Sequence, residues 1–335
     1  MRLAILILSI ASFDLLAFPL SNETIEEFVE ELKVYPQLDL QKVSNSLQNV
    51  KISKKIIGLM NKPPEKTKTW TQYRSLLVSE QRIEQGCSFL KENLKTFQEA
   101  ETRYGVPLSI IAGIIGVETS YGKIKGNHDV LTALATLAFH YPVDSPKRKK
   151  FFRYQLKEFL LMADKHGRDF NSYRGSYAGA LGIPQFMPDN YRRLAVDFDK
   201  DGKIDLIDNV EDAIGSIGNF LRYHGWIPNE AGIRVIPKSS HLIGKKIEPN
   251  PSKTNTTLVE LMPNWRENKF LQTGIPNLNR DTLVALLEQT EKGSLKQWLG
   301  FENFFTLFHY NPRLFYALAV ASLADALNQC EIHVK

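Results

Sequence analysis

The sequence has few cysteines, no long apolar run and no strong excess of one charge. Only Cys87 and Cys330 occur among the 335 residues, which excludes a scaffold built on several disulfides. The apolar run near the N-terminus, Leu3 to Ala11, is shorter than the roughly 20 residues that a membrane-spanning helix needs. Lysine and arginine outnumber aspartate and glutamate by only 42 to 37, so the composition does not indicate a dedicated nucleic-acid binder.

The N-terminal residues are typical of a secretory signal peptide. Met1 and Arg2 precede the short apolar run, and we expect cleavage near residue 18 and export to the periplasm. The cysteine that a lipid anchor needs just after the apolar run is absent, so no lipid anchor is expected. In an exported protein, Cys87 and Cys330 either form one disulfide or remain as two buried thiols.

Helical patterns cover most of the chain and predict a mainly α fold. Apolar residues repeat at three- and four-residue intervals in 22–101 and again in 107–226. In 227–305 the pattern changes to a strand-like alternation and many proline and asparagine turns. The predicted parts are a signal peptide at 1–18, an N-terminal helical domain at 19–100, a helical core at 101–226, a small mixed region with β-structure at 227–308 and a closing helix at 309–335.

One apolar helix is predicted from Pro107 to Gly122, with proline in its first turn and a glycine that can end it. Its only ionisable residue is Glu118, and burial raises the pKa of a carboxyl group towards that of a useful general acid. The core loops offer no obvious second carboxylate. If Glu118 is catalytic, a group of the substrate must therefore serve as nucleophile. The alternative is that Glu118 only hydrogen-bonds the loop that follows the helix.

The segment 197–208 has the spacing of an EF-hand loop. Acidic residues stand at positions 1, 3, 5, 9 and 12 and Gly202 at position 6, which places oxygen ligands around a sharp turn. The sequence predicts one structural Ca²⁺ here, and an acid-rich turn without metal is the alternative. Asp208 is shorter than the usual glutamate at position 12, so Glu211 or Asp212 could replace it. The predicted metal ligands are Asp197, Asp199, Asp201, Lys203 through its carbonyl, Asp208 and Asp212.

Several motifs occur in order: Gly-Val-Glu-Thr-Ser-Tyr-Gly at 116–122, Gly-Ser-Tyr-Ala-Gly-Ala-Leu-Gly-Ile-Pro-Gln-Phe-Met-Pro at 175–188, the acidic loop, and Asp-Ala-Ile-Gly at 212–215. Together they resemble the lytic murein transglycosylases of the membrane-bound B type, which are the family 3 lytic transglycosylases and family 103 glycoside hydrolases. The resemblance begins near Trp70 and extends through the closing helix. It implies a lysozyme-like helical core that contains a single EF-hand-like loop, an additional α domain and a small β-containing insertion.

The resemblance also implies a reaction. Members of this family cleave the β-1,4 bond between N-acetylmuramic acid and N-acetylglucosamine in peptidoglycan and leave 1,6-anhydromuramyl ends. A single glutamate, here Glu118, acts first as acid and then as base, and no cofactor is needed for the chemistry. The residues that match substrate-binding positions of the family are Tyr73, Lys147, Arg148, Ser176, Gln185, Asn219, Tyr310, Asn311 and Tyr316.

Two positions depart from the family pattern. Lys147 and Arg148 stand where the family has paired arginines, and a lysine cannot replace a bidentate arginine. Phe220 stands after Asn219 where a tyrosine is common, which removes one hydroxyl from the site.

Two other functions remain open from the residues. The same glutamate could activate water in a hydrolytic muramidase, or the chain could be a non-catalytic peptidoglycan-binding module. The expected partners are peptidoglycan glycan strands and proteins of the cell envelope, and we expect no nucleic acid and no transmembrane span in the mature chain.

Overall fold

The computed structural model describes residues 18–61, 68–229, 233–236, 256–257, 283–291 and 294–331. Over these ranges the chain is mainly helical, as the sequence predicts. The α-helices are α1 (Asn22–Leu32), α2 (Leu40–Gln48), α3 (Lys54–Asn61), α4 (Trp70–Leu77), α5 (Glu80–Glu92), α6 (Leu94–Tyr104), α7 (Leu108–Thr119), α8 (Val130–Phe139), α9 (Pro146–Lys165), α10 (Pro188–Leu194), α11 (Val210–Tyr223), α12 (Glu302–Tyr310) and α13 (Leu314–Leu327). The strands are β1 (His128–Asp129), β2 (Arg174–Gly175), β3 (Ile233–Ile236), β4 (Thr256–Thr257), β5 (Leu283–Glu291) and β6 (Ser294–Gly300).

The chain divides into two compact units that are each built from two separate stretches of sequence. The first unit takes its described residues from 1–63 and 127–179, and the second takes them from 64–126 and 180–335. The predicted helical core at 101–226 therefore contributes to both units. Most of the predicted signal peptide, residues 1–17, lies outside the described residues, as does much of the predicted mixed region at 227–308.

In the first unit, a single arginine connects α1 to α9. The Arg153 guanidinium donates hydrogen bonds to both carboxylate oxygens of Glu31, and it lies over the rings of Phe28 and Phe139 at 5.0 and 5.3 Å. These contacts combine an ion pair with cation–π attraction and fix α9 against the N-terminal helices. The short pairing of β1 with β2 lies in the same unit.

In the second unit, α7 packs against α5, α6, α11 and α13. Gly113 lets α7 approach α13 closely, because a β-carbon at this position would lie 3.1 Å from the carbonyl oxygen of Val320. The sequence predicts a closing helix that packs through small residues, and α13 confirms this with buried alanines at 317, 319, 321 and 324.

The second unit also contains an antiparallel sheet with the strand order β3–β6–β5–β4. Its first strand, β3, confirms the strand-like alternation that the sequence shows at 232–237. Cys87 in α5 and Cys330 after α13 form a disulfide, which is one of the two states that the sequence left open. Within the described ranges, no helix has the length and apolar character that crossing a membrane requires.

Candidate active site

Glu118 lies in the last turn of α7, at the edge of the core of the second unit. The apolar residues before it, Ile111, Ile114 and Ile115, are fully buried, whereas Glu118 keeps part of its surface accessible. The sequence predicts both the helix and its single ionisable group, and the structure has both. An acid in this position is surrounded by apolar protein and can still be reached from outside.

The helix ends at Thr119, before the predicted end at Gly122. The Thr119 side chain is fully buried, and its hydroxyl donates to the carbonyl oxygen of Ile183 at 2.9 Å. The same hydroxyl accepts a hydrogen bond from the Gly122 backbone N–H at 3.0 Å. Because these bonds direct the chain away from the helix axis, the turn begins at Ser120, two residues after the glutamate.

Two residues after Glu118 have left-handed backbone conformations that normally favour glycine. Ser120 has φ 53° and Tyr121 has φ 60°, and such conformations cost roughly 1–3 kcal/mol each for other residues. The Tyr121 hydroxyl donates to the backbone carbonyl of Arg82 in α5 at 3.0 Å. The Arg82 guanidinium in turn donates to the carbonyl oxygen of Gly116, in the last turn of α7. Residues of α5 therefore hold the strained turn beside Glu118.

The surroundings of Glu118 raise its pKa. Burial disfavours the charged carboxylate and raises its pKa from 4.5 to about 7, while the neighbouring Tyr316 side chain acts in the opposite direction. Within the described residues, no second carboxyl group contributes to this shift. A pKa near neutrality lets one group donate and then accept a proton under the same conditions.

Three tyrosines share the electrostatic environment of Glu118. Burial and the negative charge of the glutamate raise the pKa of Tyr73 to about 12, and the same causes raise the pKa values of Tyr310 and Tyr316 well above 10. Their hydroxyls therefore remain protonated at all physiological pH values and act as hydrogen-bond donors. The structure thus brings three of the predicted substrate-binding residues together with the predicted acid.

Aromatic packing fixes these tyrosines. The Tyr310 and Tyr316 rings lie nearly parallel at 6.2 Å, and the Tyr310 ring also contacts Phe186 and Phe220. The Tyr310 hydroxyl donates to the carbonyl oxygen of Pro184 at 2.5 Å. Phe220 stands where the family commonly has a tyrosine. Its ring packs against Tyr310 and Phe186.

The side-chain amide N–H groups of the predicted site residues Gln185 and Asn219 are hydrogen-bonded within the protein. The Gln185 amide donates to the carbonyl oxygens of Lys125 at 3.0 Å and Gly182 at 2.8 Å, and the Asn219 amide donates to that of Leu194 at 2.9 Å. Their side-chain oxygens are the groups that a sugar hydroxyl could contact. Asn311 follows α12 directly and is partly accessible.

The other predicted substrate-binding residues belong to the first unit. Ser176 follows β2, and its hydroxyl oxygen accepts a hydrogen bond from the backbone N–H of Ala178 at 3.3 Å. Lys147 and Arg148 lie exposed in the first turn of α9. Their roles towards a substrate stay predictions.

The acidic loop brings three carboxylates together. One oxygen each of Asp197, Asp199 and Asp212 lies within 4.8 Å of the others, a separation that could accommodate one metal ion. Asp212 is fully buried, and burial together with the charges of the other two acids raises its pKa, although the backbone N–H groups of Phe198 and Asp205 act in the opposite direction.

The remaining predicted ligands have other contacts. Asp208 accepts a hydrogen bond from the Lys125 ammonium group at 2.9 Å, and Asp201 accepts one from the Lys203 backbone N–H at 2.8 Å. Beside Asp197 and Asp199, the third carboxylate of the group is that of Asp212, which the sequence analysis gives as one possible replacement for Asp208. Nothing in the sequence indicates the roles of Lys125 and Arg82, because each side chain donates to a backbone carbonyl that is distant in sequence.

Comparisons with known proteins identify the family of this chain. The model of the transglycosylase SLT domain family matches residues 21–325. The chain is 33% identical over 317 residues to the membrane-bound lytic murein transglycosylase B of Escherichia coli K12, covering 92% of this chain and 83% of that protein. It is similar to the structure of the Escherichia coli lytic transglycosylase Slt35 in complex with calcium, with 32% identity, a TM-score of 0.78, and coverage of 93% of this chain and 95% of the other.

A second similar structure is that of SltB3 from Pseudomonas aeruginosa in complex with NAG-NAM-pentapeptide. The identity is 26%, the TM-score is 0.75, and the match covers 92% of this chain and 79% of that one. Because the family model spans most of the residues and the sequence relative is matched over most of its length, the chain belongs to the transglycosylase SLT domain family and is a lytic transglycosylase.

Proposed function

We propose that this enzyme cleaves the β-1,4 bond between N-acetylmuramic acid and N-acetylglucosamine in peptidoglycan, with Glu118 as its only acid and base. The proposal rests on the surroundings of Glu118, which raise its pKa to about 7. Among the described residues, its neighbours in this electrostatic environment are tyrosines and not a second acid. A glycosidase that lacks a second carboxylate needs a nucleophile from the substrate.

In the first step, the protonated Glu118 carboxyl donates its proton to the glycosidic oxygen as the bond from that oxygen to C1 breaks. Positive charge develops on the muramyl ring, and the substrate's own N-acetyl group can stabilise it. The departing oxygen leaves as the hydroxyl of N-acetylglucosamine, and Glu118 becomes a carboxylate. The neighbouring Tyr316 side chain favours this charged form.

In the second step, the Glu118 carboxylate accepts the proton of the muramyl C6 hydroxyl while the C6 oxygen bonds to C1. The product is a 1,6-anhydromuramyl end, and the glutamate returns to its protonated state without consuming water. In this scheme Tyr73, Gln185, Asn219, Tyr310, Asn311 and Tyr316 orient the sugars. Ser176, Lys147 and Arg148 bind other parts of the same substrate.

The product test separates this reaction from hydrolysis and from binding alone. Purified peptidoglycan is incubated with the wild type, with Glu118→Gln and with Glu92→Gln, which makes the same change at an exposed residue of α5. We expect anhydromuramyl ends, read by mass spectrometry, from the wild type and the control. The Glu118→Gln variant should be slower by about 100-fold or more, since positioned proton transfer contributes that much.

Reducing muramyl ends from the wild type would contradict the proposal and establish a hydrolase. Equal activity of wild type and Glu118→Gln would remove Glu118 from the mechanism, and no release by a folded wild type would favour a binding module.

The acidic loop supports the further proposal that the enzyme binds Ca²⁺ through Asp197, Asp199 and Asp212. Three carboxylates with oxygens within 4.8 Å of one another repel unless a cation neutralises them, and oxygen ligands suit calcium. A structure of a similar enzyme was solved in complex with calcium. The bound ion would stabilise the loop and the start of α11, and it takes no part in the reaction.

The proposed location is the periplasm, with residues 1–18 removed as a signal peptide on export. Peptidoglycan is the substrate of this proposal, and an exported enzyme has access to it. N-terminal sequencing of the protein recovered from the periplasmic fraction tests the expectation. A chain that retains Met1 in that fraction would contradict it.

A further inference from the structure

A cavity of about 430 Å³ lies within the first unit, between α1 with the residues after it and α9. It has the size of a small-molecule pocket. Lys150, Arg153, Tyr154 and Lys157 line it from one face of α9, because they follow one another at helical intervals. None of them is among the residues proposed for the reaction.

The walls of this cavity are held by contacts within the protein. Arg153 forms three hydrogen bonds to the two carboxylate oxygens of Glu31, so this arginine and this carboxylate satisfy each other. The Lys157 ammonium lies 4.5 Å from the Tyr154 ring centre and 5.4 Å from that of Tyr35, and it also pairs with a buried glutamate. These contacts hold Arg153 and Lys157 in place before a ligand binds, which lowers the ordering cost of binding.

Among the described residues, one cation at the cavity, Lys150, has no partner. Lys150 is exposed, and in the part of the chain that the structure describes its ammonium group has neither an ion pair nor a hydrogen bond. Tyr154 beside it exposes 37% of its surface. The cavity lining contains three cationic side chains and one carboxylate, which Arg153 already occupies. A ligand with a carboxylate group next to apolar atoms would complement both the charge and the tyrosine rings.

We propose that this cavity binds the carboxylate-bearing stem peptide of peptidoglycan as an accessory site, separate from the residues that cleave the glycan. The proposal rests on the proposed function, since that function makes peptidoglycan the substrate. Binding a peptide here adds a second attachment to the polymer and raises the residence time of the enzyme without any change in chemistry.

The test uses a free stem pentapeptide, because it has no glycosidic bond and is read independently of cleavage. Its affinity is measured by NMR titration for the wild type, for Lys150→Gln and for Lys149→Gln. Lys149 is the matched control, since it is the adjacent lysine of α9, pairs with Asp144 at 3.8 Å and does not line the cavity. We expect Lys150→Gln to weaken binding by roughly fivefold, the effect of losing one partly exposed charge contact, and Lys149→Gln to leave it unchanged.

A second titration uses the same peptide with its carboxyl groups amidated, and we expect its binding to be weakened similarly in the wild type. The ring signals of Tyr35 and Tyr154 should shift with the unmodified peptide.

Equal binding by wild type and Lys150→Gln, or equal loss in both lysine variants, would overturn the proposal. So would Lys150-dependent binding of vesicles that contain phosphatidylglycerol without any binding of the peptide. If peptide binding follows Lys150 but peptidoglycan is not cleaved, the proposed function fails and the accessory site stands.

Discussion

At the scale of single residues, the central feature is that Glu118 is a carboxyl group in surroundings that disfavour its charge. Its pKa of about 7 lies well above the ordinary 4.5, because the effect of burial outweighs that of the neighbouring Tyr316 side chain. A raised pKa serves proton transfer, and it also makes the ionised folded protein less stable.

This gives a prediction for stability. Since the folded pKa of Glu118 exceeds the unfolded one, its stabilising contribution is complete below about pH 4.5 and is lost as the pH rises through about 7. Glu118→Gln removes that loss, so at pH 8 the variant should have a larger free energy of unfolding than the wild type by about 1–3 kcal/mol. At pH 4 the difference should vanish, as urea unfolding at both pH values would show. Glu92→Gln should match the wild type throughout, and an advantage of Glu118→Gln that is equal at pH 4 and pH 8 would contradict the linkage.

The roles of other single residues depend on contacts that the sequence does not contain. The residue types at Gln185 and Asn219 match a substrate groove, yet the structure shows their N–H groups bonded to backbone carbonyls. The pairing of Asp208 with Lys125 and the central position of Asp212 likewise depend on how distant segments meet. The sequence therefore indicates candidate site residues. It does not indicate which of their atoms are free to contact a substrate or a metal ion.

At the scale of elements, the sequence predicts the helix of Glu118 but not its end. Apolar periodicity is local, so it identifies α7 and the closing helix α13. The end of α7 depends on Thr119 bonding to Ile183 and on α5 supporting two left-handed residues. Those contacts join distant parts of the chain, and only the folded structure reveals them.

The acidic loop gives a prediction at the same scale. Ca²⁺ should raise the melting temperature of the enzyme by about 5 °C at a concentration roughly 100 times the dissociation constant, because binding stabilises only the folded loop. Magnesium should have a smaller effect, since its octahedral preference does not suit a loop of this type. Asp199→Asn should abolish most of the calcium effect in a thermal-shift titration.

Asp144→Asn is the matched control for that titration, because this aspartate is almost fully exposed and lies outside the loop. A calcium response that Asp199→Asn leaves intact, or an equal response to magnesium, would count against the proposed ligands.

At the scale of the whole molecule, the division of the chain into units is what the sequence predicts least. Composition and periodicity place boundaries along the chain, but each unit is assembled from two stretches that are separated by the other. Helical periodicity predicts the mainly α fold, and the resemblance to a known family implies the lysozyme-like core; the structure and its relatives confirm both. Whether the two cysteines meet could not be decided in advance, because it depends on how α5 and the end of α13 pack in the second unit.

The disulfide leads to a prediction for the stability of the second unit. Cys87 and Cys330 are 243 residues apart, so their bond closes a very long loop and restricts the unfolded chain. Loop-closure entropy gives an upper value of about 5 kcal/mol, and native disulfides typically contribute about 2–5 kcal/mol. We expect the double variant Cys87→Ser with Cys330→Ser to lose stability in this range by urea unfolding.

Reductant should destabilise the wild type to the same level and leave the double variant unchanged. Because α5 supports the turn after Glu118 and α13 carries Tyr316, the double variant should also lose activity at a lower temperature than the wild type. A wild type that is equally stable with and without reductant, once the bond is shown to be reduced, would contradict this role.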